Sequence, residues 1–480
     1  MEETDIQSIK KRSLIGIIAL TSRTFLLQLV AFGSTFLLTI FLSPSVFGVF
    51  YVVSAIISFL SYFSDVGLAA ALIQKKEKLT DEDLVTTFTI QQALVFPVSL
   101  IAFLSSTYIA AFYSLDQSGV ALFQALVFSF FISSLKTIPS VLLERELQFN
   151  KLVIPQIAET IGFYAVAVIM AWKGYGLTSF TWAVMTRAVV GFVLMYIISP
   201  WKIRFGISKP VAQKLLKFGI PFQMNSLLAL VKDDLMTVFL GKILTFEQIG
   251  YIGWAKKWAE VPIRLIMDSV IRVTFPAFSR LQHSKEHLGN AIEKTIFGLS
   301  VAMLPISVGL LYFVEPAVRL IPKYGKWEPA LLSFYIFVIS ALIAGFSTPL
   351  TNALNAVGKI KLTMFLMIFW TAGTWILTLI FIPLFGFNGF AITLLVLSLA
   401  IVVVIRMAKE IAHFSFLSQV KWPFVAAFVQ IAWYQLARGS APYNTTQLAS
   451  VAIFGVILYG AIVWYFEKKR IAGIVNVARH

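Results

Sequence analysis

The sequence has no cysteine among its 480 residues. It can therefore form no disulfide framework, thiolate metal site or cysteine nucleophile. Histidine is nearly as scarce, with four residues. His283 and His287 are four apart in a connecting loop, but no third ligand accompanies them and no His-Glu-x-x-His pattern is present, so the pair reads as solvated rather than metal-binding. No Walker A glycine loop occurs, which argues against ATP hydrolysis by this chain. Charge is also sparse: Asp, Glu, Lys and Arg together make up 13% of the residues, with 23 acidic against 39 basic. No polar stretch is long enough for a soluble domain, and the longest connector on the expected outer side, Glu315 to Pro329, has only about 15 residues.

What fills the chain is apolar sequence. It is 59% hydrophobic with 44 Phe, and its mean hydropathy is +0.85. Repeated apolar runs of about 20 residues identify an all-α, multi-pass membrane protein. Hydropathy and turn punctuation place about fourteen transmembrane helices at 14–42, 46–73, 84–113, 119–143, 152–172, 177–198, 215–241, 248–275, 292–314, 329–353, 362–383, 388–407, 421–437 and 447–466. The first run is too long for a signal-peptide core and has no small-residue cleavage pattern, so it reads as a span. The net charge of +16 fits topology rather than nucleic acid. With the amino terminus inside and residues at the span ends counted with their flanking segments, 25 Lys and Arg fall in inner segments, 6 in outer ones and 8 within spans. Both termini are thus expected on the cytoplasmic side of a plasma membrane.

The basic connector Lys202 to Lys217 separates two sets of six spans. Its Ser208-Lys209-Pro210 start reads as the beginning of a short amphipathic surface helix. The expected domains are an N-terminal six-helix bundle at 1–200, a cytoplasmic linker at 201–214, a C-terminal six-helix bundle at 215–410, and two additional helices with a basic tail at 411–480. The two sets repeat faintly. Gly48 matches Gly250 at an offset of 202, Leu72-Ile73-Gln74 matches Arg280-Leu281-Gln282 at 208, and Pro139 with Lys151-Leu152 matches Pro349 with Lys361-Leu362 at 210. Three matches in order at nearly constant offset indicate duplication, which places a substrate site between the halves.

The stretch Gly250 to Gln282 concentrates the unusual chemistry. Lys256, Glu260, Arg264, Asp268 and Arg272 recur every fourth residue with alternating sign, and Pro262 interrupts the run. Either they neutralise one another as a ladder or they line a polar path. Within spans, eight basic residues face six acidic ones, and each charge exposed to lipid would cost about 3 kcal/mol, so most must face inward. The cationic candidates for substrate contact are Arg187, Arg264, Arg23, Lys232, Lys256, Arg272 and Lys136. Arg187 and Arg264 lead because they lie nearest their helix centres, where a guanidinium fork suits phosphate or carboxylate. Asp65, Glu159, Asp233, Asp234, Glu260 and Asp268 are the charge-balancing or coupling candidates, with H+ or Na+ as the coupled ion and no cofactor expected. Gln28 and Asn225 complete the polar cavity set.

Three stretches carry a family resemblance: Asp65-Val66-Gly67-Leu68 through Lys75, Pro139-Ser140 through Lys151, and Arg272 through Gln282. The Tyr324-Gly325-Lys326-Trp327 turn and the segment Asn352 to Lys359 are similar too. Together they resemble the polysaccharide transporter family of the multidrug/oligosaccharidyl-lipid/polysaccharide exporter superfamily. The resemblance implies two six-helix bundles related by a pseudo-two-fold axis, a central cationic cavity and alternating access. It further implies a flippase for undecaprenyl-diphosphate-linked oligosaccharide; a monomer is expected, working beside a polysaccharide polymerase or glycosyltransferases. The alternatives are a membrane-embedded polymerase or glycosyltransferase, a drug/cation antiporter, and a peptidoglycan-precursor flippase. The short outer connectors count against the enzyme, and the basic excess counts against a pocket for cationic drugs.

Overall fold

The computed structural model describes residues 27–224, 227–437 and 445–478, and among these it is helical throughout, with no strand. In chain order the first helices are α1 (Leu27–Phe41), α2 (Pro44–Asp65), α3 (Leu68–Gln74), α4 (Asp81–Leu104), α5 (Ser106–Tyr113) and α6 (Gln117–Leu135). They continue as α7 (Thr137–Arg145), α8 (Phe149–Trp172), α9 (Thr178–Ile198), α10 (Lys209–Met224), α11 (Leu227–Ile243) and α12 (Phe246–Ala259). Then come α13 (Val261–Leu281), α14 (Lys285–Leu320), a 3-10 turn (Gly325–Ala330), α15 (Leu331–Ala356) and α16 (Ile360–Phe385). The last are α17 (Asn388–Ser398), α18 (Ile401–Ile411), α19 (Phe416–Leu436) and α20 (Thr445–Ala478). Ten stretches of the described residues are long and apolar enough to cross a bilayer. At 17 and 14 residues α11 and α12 are too short for that set, and α13 carries Arg264, Asp268, Arg272 and Arg280 within its 21 residues.

Several expected spans are pairs of shorter helices, and the breaks have local causes. The span at 46–73 divides at Val66 (φ 46°) and Gly67 (φ 72°), whose left-handed backbone cannot continue a helix. Gly67 is required there for a second reason: a Cβ would lie 2.4 Å from the Gly219 carbonyl oxygen of α10. Asp65 consequently ends α2 well before the expected cytoplasmic end of that span. The span at 119–143 divides at Lys136, and Pro139 falls in the first turn of α7, where its missing N–H would have no helical partner anyway. The span at 248–275 is likewise two helices, with Pro262 in the first turn of α13. The charge ladder therefore runs across a break. The spans at 84–113 and 388–407 divide at Ser105 and at Leu399–Ala400.

The chain forms two compact units, residues 1–250 and 251–480. In the first, Leu68, Leu72, Phe88, Ile138 and Leu215 form a core that ties α3, α4, α7 and α10 together. Tyr62 donates to the Gln223 carbonyl at 2.5 Å and Gln223 donates back to the Tyr62 carbonyl at 2.8 Å, binding the end of α2 to α10. Arg145 caps the end of α3 by donating to the carbonyls of Leu72 and Lys75, both at 2.6 Å, and to that of Glu77. These contacts account physically for the Gly67–Lys75 and Pro139–Arg145 stretches, which meet in space. The start of α2 also packs on the start of α12 reciprocally. A Cβ on Gly48 would lie 1.7 Å from the Phe246 oxygen, and one on Gly250 would lie 1.9 Å from the Pro44 oxygen.

In the second unit, α13, α14, α15 and α18 share a core that includes Phe278, Leu288, Ile292, Leu350 and Val404. Trp327 is fully buried and stacks on Trp254 at 5.3 Å, and the Trp254 indole donates to the Tyr324 hydroxyl at 3.0 Å. The Tyr324–Trp327 turn is thus a structural anchor. Asn352 donates to Thr274 at 3.2 Å, joining α15 to α13. A separate core of Phe297, Leu304, Ala426, Tyr434 and Tyr459 seats α19 and α20 on α14.

Candidate substrate cavity

The strongest convergence of predicted charges lies inside the first unit, between α6, α8 and α9. Lys136, at the α6–α7 break, donates to Glu159 of α8 at 2.5 Å. Arg187, at the middle of α9, approaches the other Glu159 oxygen at 3.9 Å. Lys136 and Glu159 are 14% and 13% exposed, whereas the Arg187 side chain is 58% exposed, so its guanidinium keeps open space in front of it. Two cations around one carboxylate leave a net charge of +1, sufficient to attract an anion.

The backbone was shaped to admit the carboxylate. Gly191 is one turn beyond Arg187 on α9, and a Cβ there would lie 1.8 Å from Glu159 Oε1. No other residue type leaves room for Glu159 in its observed position. Sequence reading missed Gly191, because nothing local distinguishes a glycine that accommodates a distant side chain from one that merely packs helices.

The three charges stand at the junction of two adjoining cavities. One, of about 380 Å³, is lined by Phe50, Ser54, Ser129, Phe163 and Val184 besides the charges. Its wall is braced by Phe180, whose ring stacks on Phe50 at 4.2 Å. The other, of about 480 Å³, is lined by Gln91, Ser134, Thr137, Ser140, Glu144 and Gln156 among others. Sequence reading missed all of them, Glu144 and the uncharged polar residues alike. A polar-residue count by helix face would have found Ser133, Ser134, Thr137 and Ser140, whereas hydropathy averaging hides them. Glu144 lies outside the apolar spans, and burial pushes its carboxyl above the ordinary value, opposed by a hydrogen bond from Ser140.

The other predicted residues lie elsewhere. Lys232, Asp233 and Asp234 are on α11, with Lys232 and Asp233 3.9 Å apart, and none lines either cavity. In the second unit Lys256 and Glu260 form an i,i+4 pair at 3.9 Å, as the spacing predicts, and Lys256 also stands 5.9 Å from the Phe390 ring. Arg272 is exposed and Gln28 half-buried on α1. Asp65, Arg264 and Asp268 lie on helices whose backbone is described, but their side chains fall outside the described set, and Arg23 and Asn225 lie outside the described residues altogether. Among the described residues there is no cluster of three potential metal ligands. His287 instead accepts from, or donates to, Ser284 at 2.8 Å.

The helical membrane architecture is that of known transporters. Its fold matches that of the lipid II flippase MurJ in an inward closed conformation with a TM-score of 0.74, 15% identity, and coverage of 93% of this chain and 100% of that one. An inward-facing multidrug resistance MATE family transporter of the MOP superfamily matches with a TM-score of 0.60 at 14% identity, over 85% of this chain and 96% of that one. Residues 37–332 match the family described as polysaccharide biosynthesis protein, and the chain belongs to that family. It is 24% identical over 311 residues to the succinoglycan biosynthesis transport protein ExoT of Rhizobium meliloti, covering 64% of this chain and 61% of that protein. It is 25% identical over 350 residues to the lipopolysaccharide biosynthesis protein WzxC of Escherichia coli, covering 72% and 68%. The chain thus spans less than two thirds of the length of ExoT.

Proposed function

We propose that this protein is a flippase that moves undecaprenyl-diphosphate-linked oligosaccharide repeat units across the cytoplasmic membrane of a prokaryote, by alternating access. The observation that carries the reading is the Lys136–Glu159–Arg187 cluster: a half-open guanidinium beside a nearly buried ammonium, facing cavity space and holding excess positive charge. A diphosphate is bidentate, doubly charged and attached to a lipid that can remain in the bilayer, so it suits such a cluster. The transport and polysaccharide names of the relatives and the flippase and transporter folds support a carrier over a polymerase or glycosyltransferase. The basic excess favours an anionic substrate over a cationic drug.

On this reading the helices of 1–200 and 215–410 act as the two lobes, the linker 201–214 joins them, and 411–480 adds a peripheral pair. The total of about fourteen spans comes from hydropathy, and the 25-to-6 distribution of basic residues supports it and puts both termini on the cytoplasmic side. The flippase acts as a monomer, supplies the polymerase of the same pathway, and uses Glu159 as the first site to examine for H+ or Na+ coupling.

The test is movement of a fluorescent undecaprenyl-diphosphate oligosaccharide between leaflets of proteoliposomes, with and without an imposed proton or sodium gradient. Protein-dependent movement is expected, lost in Arg187→Ala while the variant remains folded and inserted. Unchanged movement in well-expressed Arg187→Ala and Lys136→Ala variants would remove the cationic site. Lengthening of the glycan when glycosyl donors are supplied, without movement, would establish the enzyme instead.

A further inference from the structure

The chain contains no acidic residue between Glu159 and Asp233, and residues 202–217 hold five basic ones. Arg204 is bound to Asp81 at 2.7 Å. Lys202, Lys209, Lys214 and Lys217 are exposed, and among the described residues none of them has a carboxylate partner. Orientation in the membrane requires only that basic residues be numerous on the inner side. Here they also share a face. At 3.6 residues per turn, Lys209, Lys214 and Lys217 of α10 fall within an arc of about 140°, turned away from Val211 and Leu215, which join the α3, α4 and α7 core.

Exposed apolar side chains flank these lysines on both sides. Further along the same arc of α10 come Ile220 and Met224, both exposed. Before α10, residues 201–208 form neither helix nor turn, and Ile203, Phe205 and Ile207 are 44%, 71% and 64% exposed. The segment is held in this position by α4. The Gly206 and Ser208 N–H groups donate to the hydroxyls of Thr89 and Thr86 at 2.9 and 3.0 Å, and the Phe205 ring lies 5.6 Å from that of Phe88. With 24 residues, α4 is about 36 Å long and spans a hydrocarbon core of about 30 Å with little to spare. Thr86 and Thr89 lie about 8–12 Å from its start, which sets the three apolar side chains at the boundary of headgroups and acyl chains.

This arrangement distinguishes among partners. An acidic protein or a nucleic acid would pair with the lysines and leave the apolar flanks in water. A zwitterionic lipid surface would cover the flanks and leave the excess positive charge unbalanced. A surface of anionic phospholipid satisfies both, with phosphodiester groups among the ammonium groups and acyl chains against the flanks.

We propose that the exposed face formed by Ile203, Phe205 and Ile207 with Lys209, Lys214 and Lys217 is a binding site for anionic phospholipid of the inner leaflet. Such a site fixes the connector between the two sets of spans in the headgroup layer. It takes its lipid from the bilayer itself and requires no particular cargo, so it stands apart from the flippase reading.

The experiment titrates the full-length protein in mild detergent with phosphatidylglycerol, phosphatidylcholine and undecaprenyl diphosphate, and counts bound lipid by native mass spectrometry. The wild type should bind phosphatidylglycerol at least fivefold more tightly than phosphatidylcholine, since one lysine near an anionic surface is worth about fivefold. Joint substitution Lys209→Gln, Lys214→Gln and Lys217→Gln should bring the two phospholipids within twofold of each other, and arginine at the same three positions should keep the preference. Removing Lys359, Lys361 and Lys409 instead controls for net charge and should change it by less than twofold. Because the chain has no cysteine, nitroxide labels at Phe205→Cys and Gln213→Cys report depth by paramagnetic relaxation in phosphatidylglycerol vesicles. The label at 205 should be reached by oxygen and the label at 213 by a water-soluble nickel chelate. Equal binding of the two phospholipids by the wild type, a preference that survives the glutamine variant or is lost in the control, or a label at 205 open to the chelate would overturn the site. If undecaprenyl diphosphate binding falls as far as phosphatidylglycerol binding in the glutamine variant, the face receives that lipid and the assignment to bilayer phospholipid is overturned.

Discussion

Gly191→Ala is the substitution whose consequence the geometry dictates most directly. The new methyl carbon would lie 1.8 Å from Glu159 Oε1, 2.4 Å from Cδ and 2.6 Å from Cγ, so the carboxylate has to leave. Overpacking of this kind costs about 1–3 kcal/mol. Separating a well-buried ion pair adds as much as about 3–5 kcal/mol, but the adjoining 380 Å³ cavity gives Glu159 somewhere to swing and water to meet it. A net loss of about 2 kcal/mol is expected, read by denaturant or thermal unfolding in a mild detergent. The decisive comparison is the same substitution in a Glu159→Ala background, where the clash is gone. There the alanine should be neutral, or stabilising by up to about 1 kcal/mol, because glycine is the weaker helix former. The cycle therefore predicts a change of sign. Equal destabilisation in both backgrounds would show that Glu159 is not what Gly191 accommodates, and the account of the charge cluster would fail with it.

Other substitutions test the frame around the site. Gly48→Ala and Gly250→Ala each place a methyl group against a backbone carbonyl oxygen, so both should sharply lower the yield of folded protein. Because they strain one reciprocal contact, the double variant should lose less than the two single losses combined. Arg145→Lys gives up the fork that caps α3, and about 1–3 kcal/mol of stability should go with it, with faster proteolysis around Lys75–Leu79 as the local readout. Glu144, whose carboxyl is raised by burial, binds its proton more tightly folded than unfolded. Its contribution is therefore fully present below the ordinary carboxylate value and lost as pH rises through the raised one. Glu144→Gln should flatten that part of the stability profile.

Membrane spans were legible because apolar runs report burial in lipid regardless of tertiary context. Helix breaks were less so. Pro262 and Gly67 mark two of them, but Lys136 and Ser105 interrupt helices with residues that carry no punctuation of their own. The cluster illustrates a similar limit. Charge at membrane depth singled out Lys136, Glu159 and Arg187 along with eleven equivalents, since hydropathy weighs every intramembrane charge alike. Only packing brings α6, α8 and α9 together and decides that Lys232 and Asp233 on α11 lie off the cavity. Gln91, Ser134 and Thr137 were invisible for the opposite reason, being polar enough to bind and too weakly polar to disturb an apolar average.

The repeat offers the clearest passage from sequence to contact. Gly48 and Gly250 were paired only by an offset of 202 residues, and Pro44 and Phe246 share the same offset. In the fold, Gly48 meets Phe246 and Gly250 meets Pro44, each glycine receiving the backbone of the other's helix start. An exchange of this form is what a local two-fold relation demands: if position i of one copy touches j of the other, then j of the first must touch i of the second. Chance identity of two glycines would produce no such reciprocity. The duplication read from weak sequence matches thus has a physical counterpart, in which both copies kept the residue without a side chain because both sides of one contact need the space.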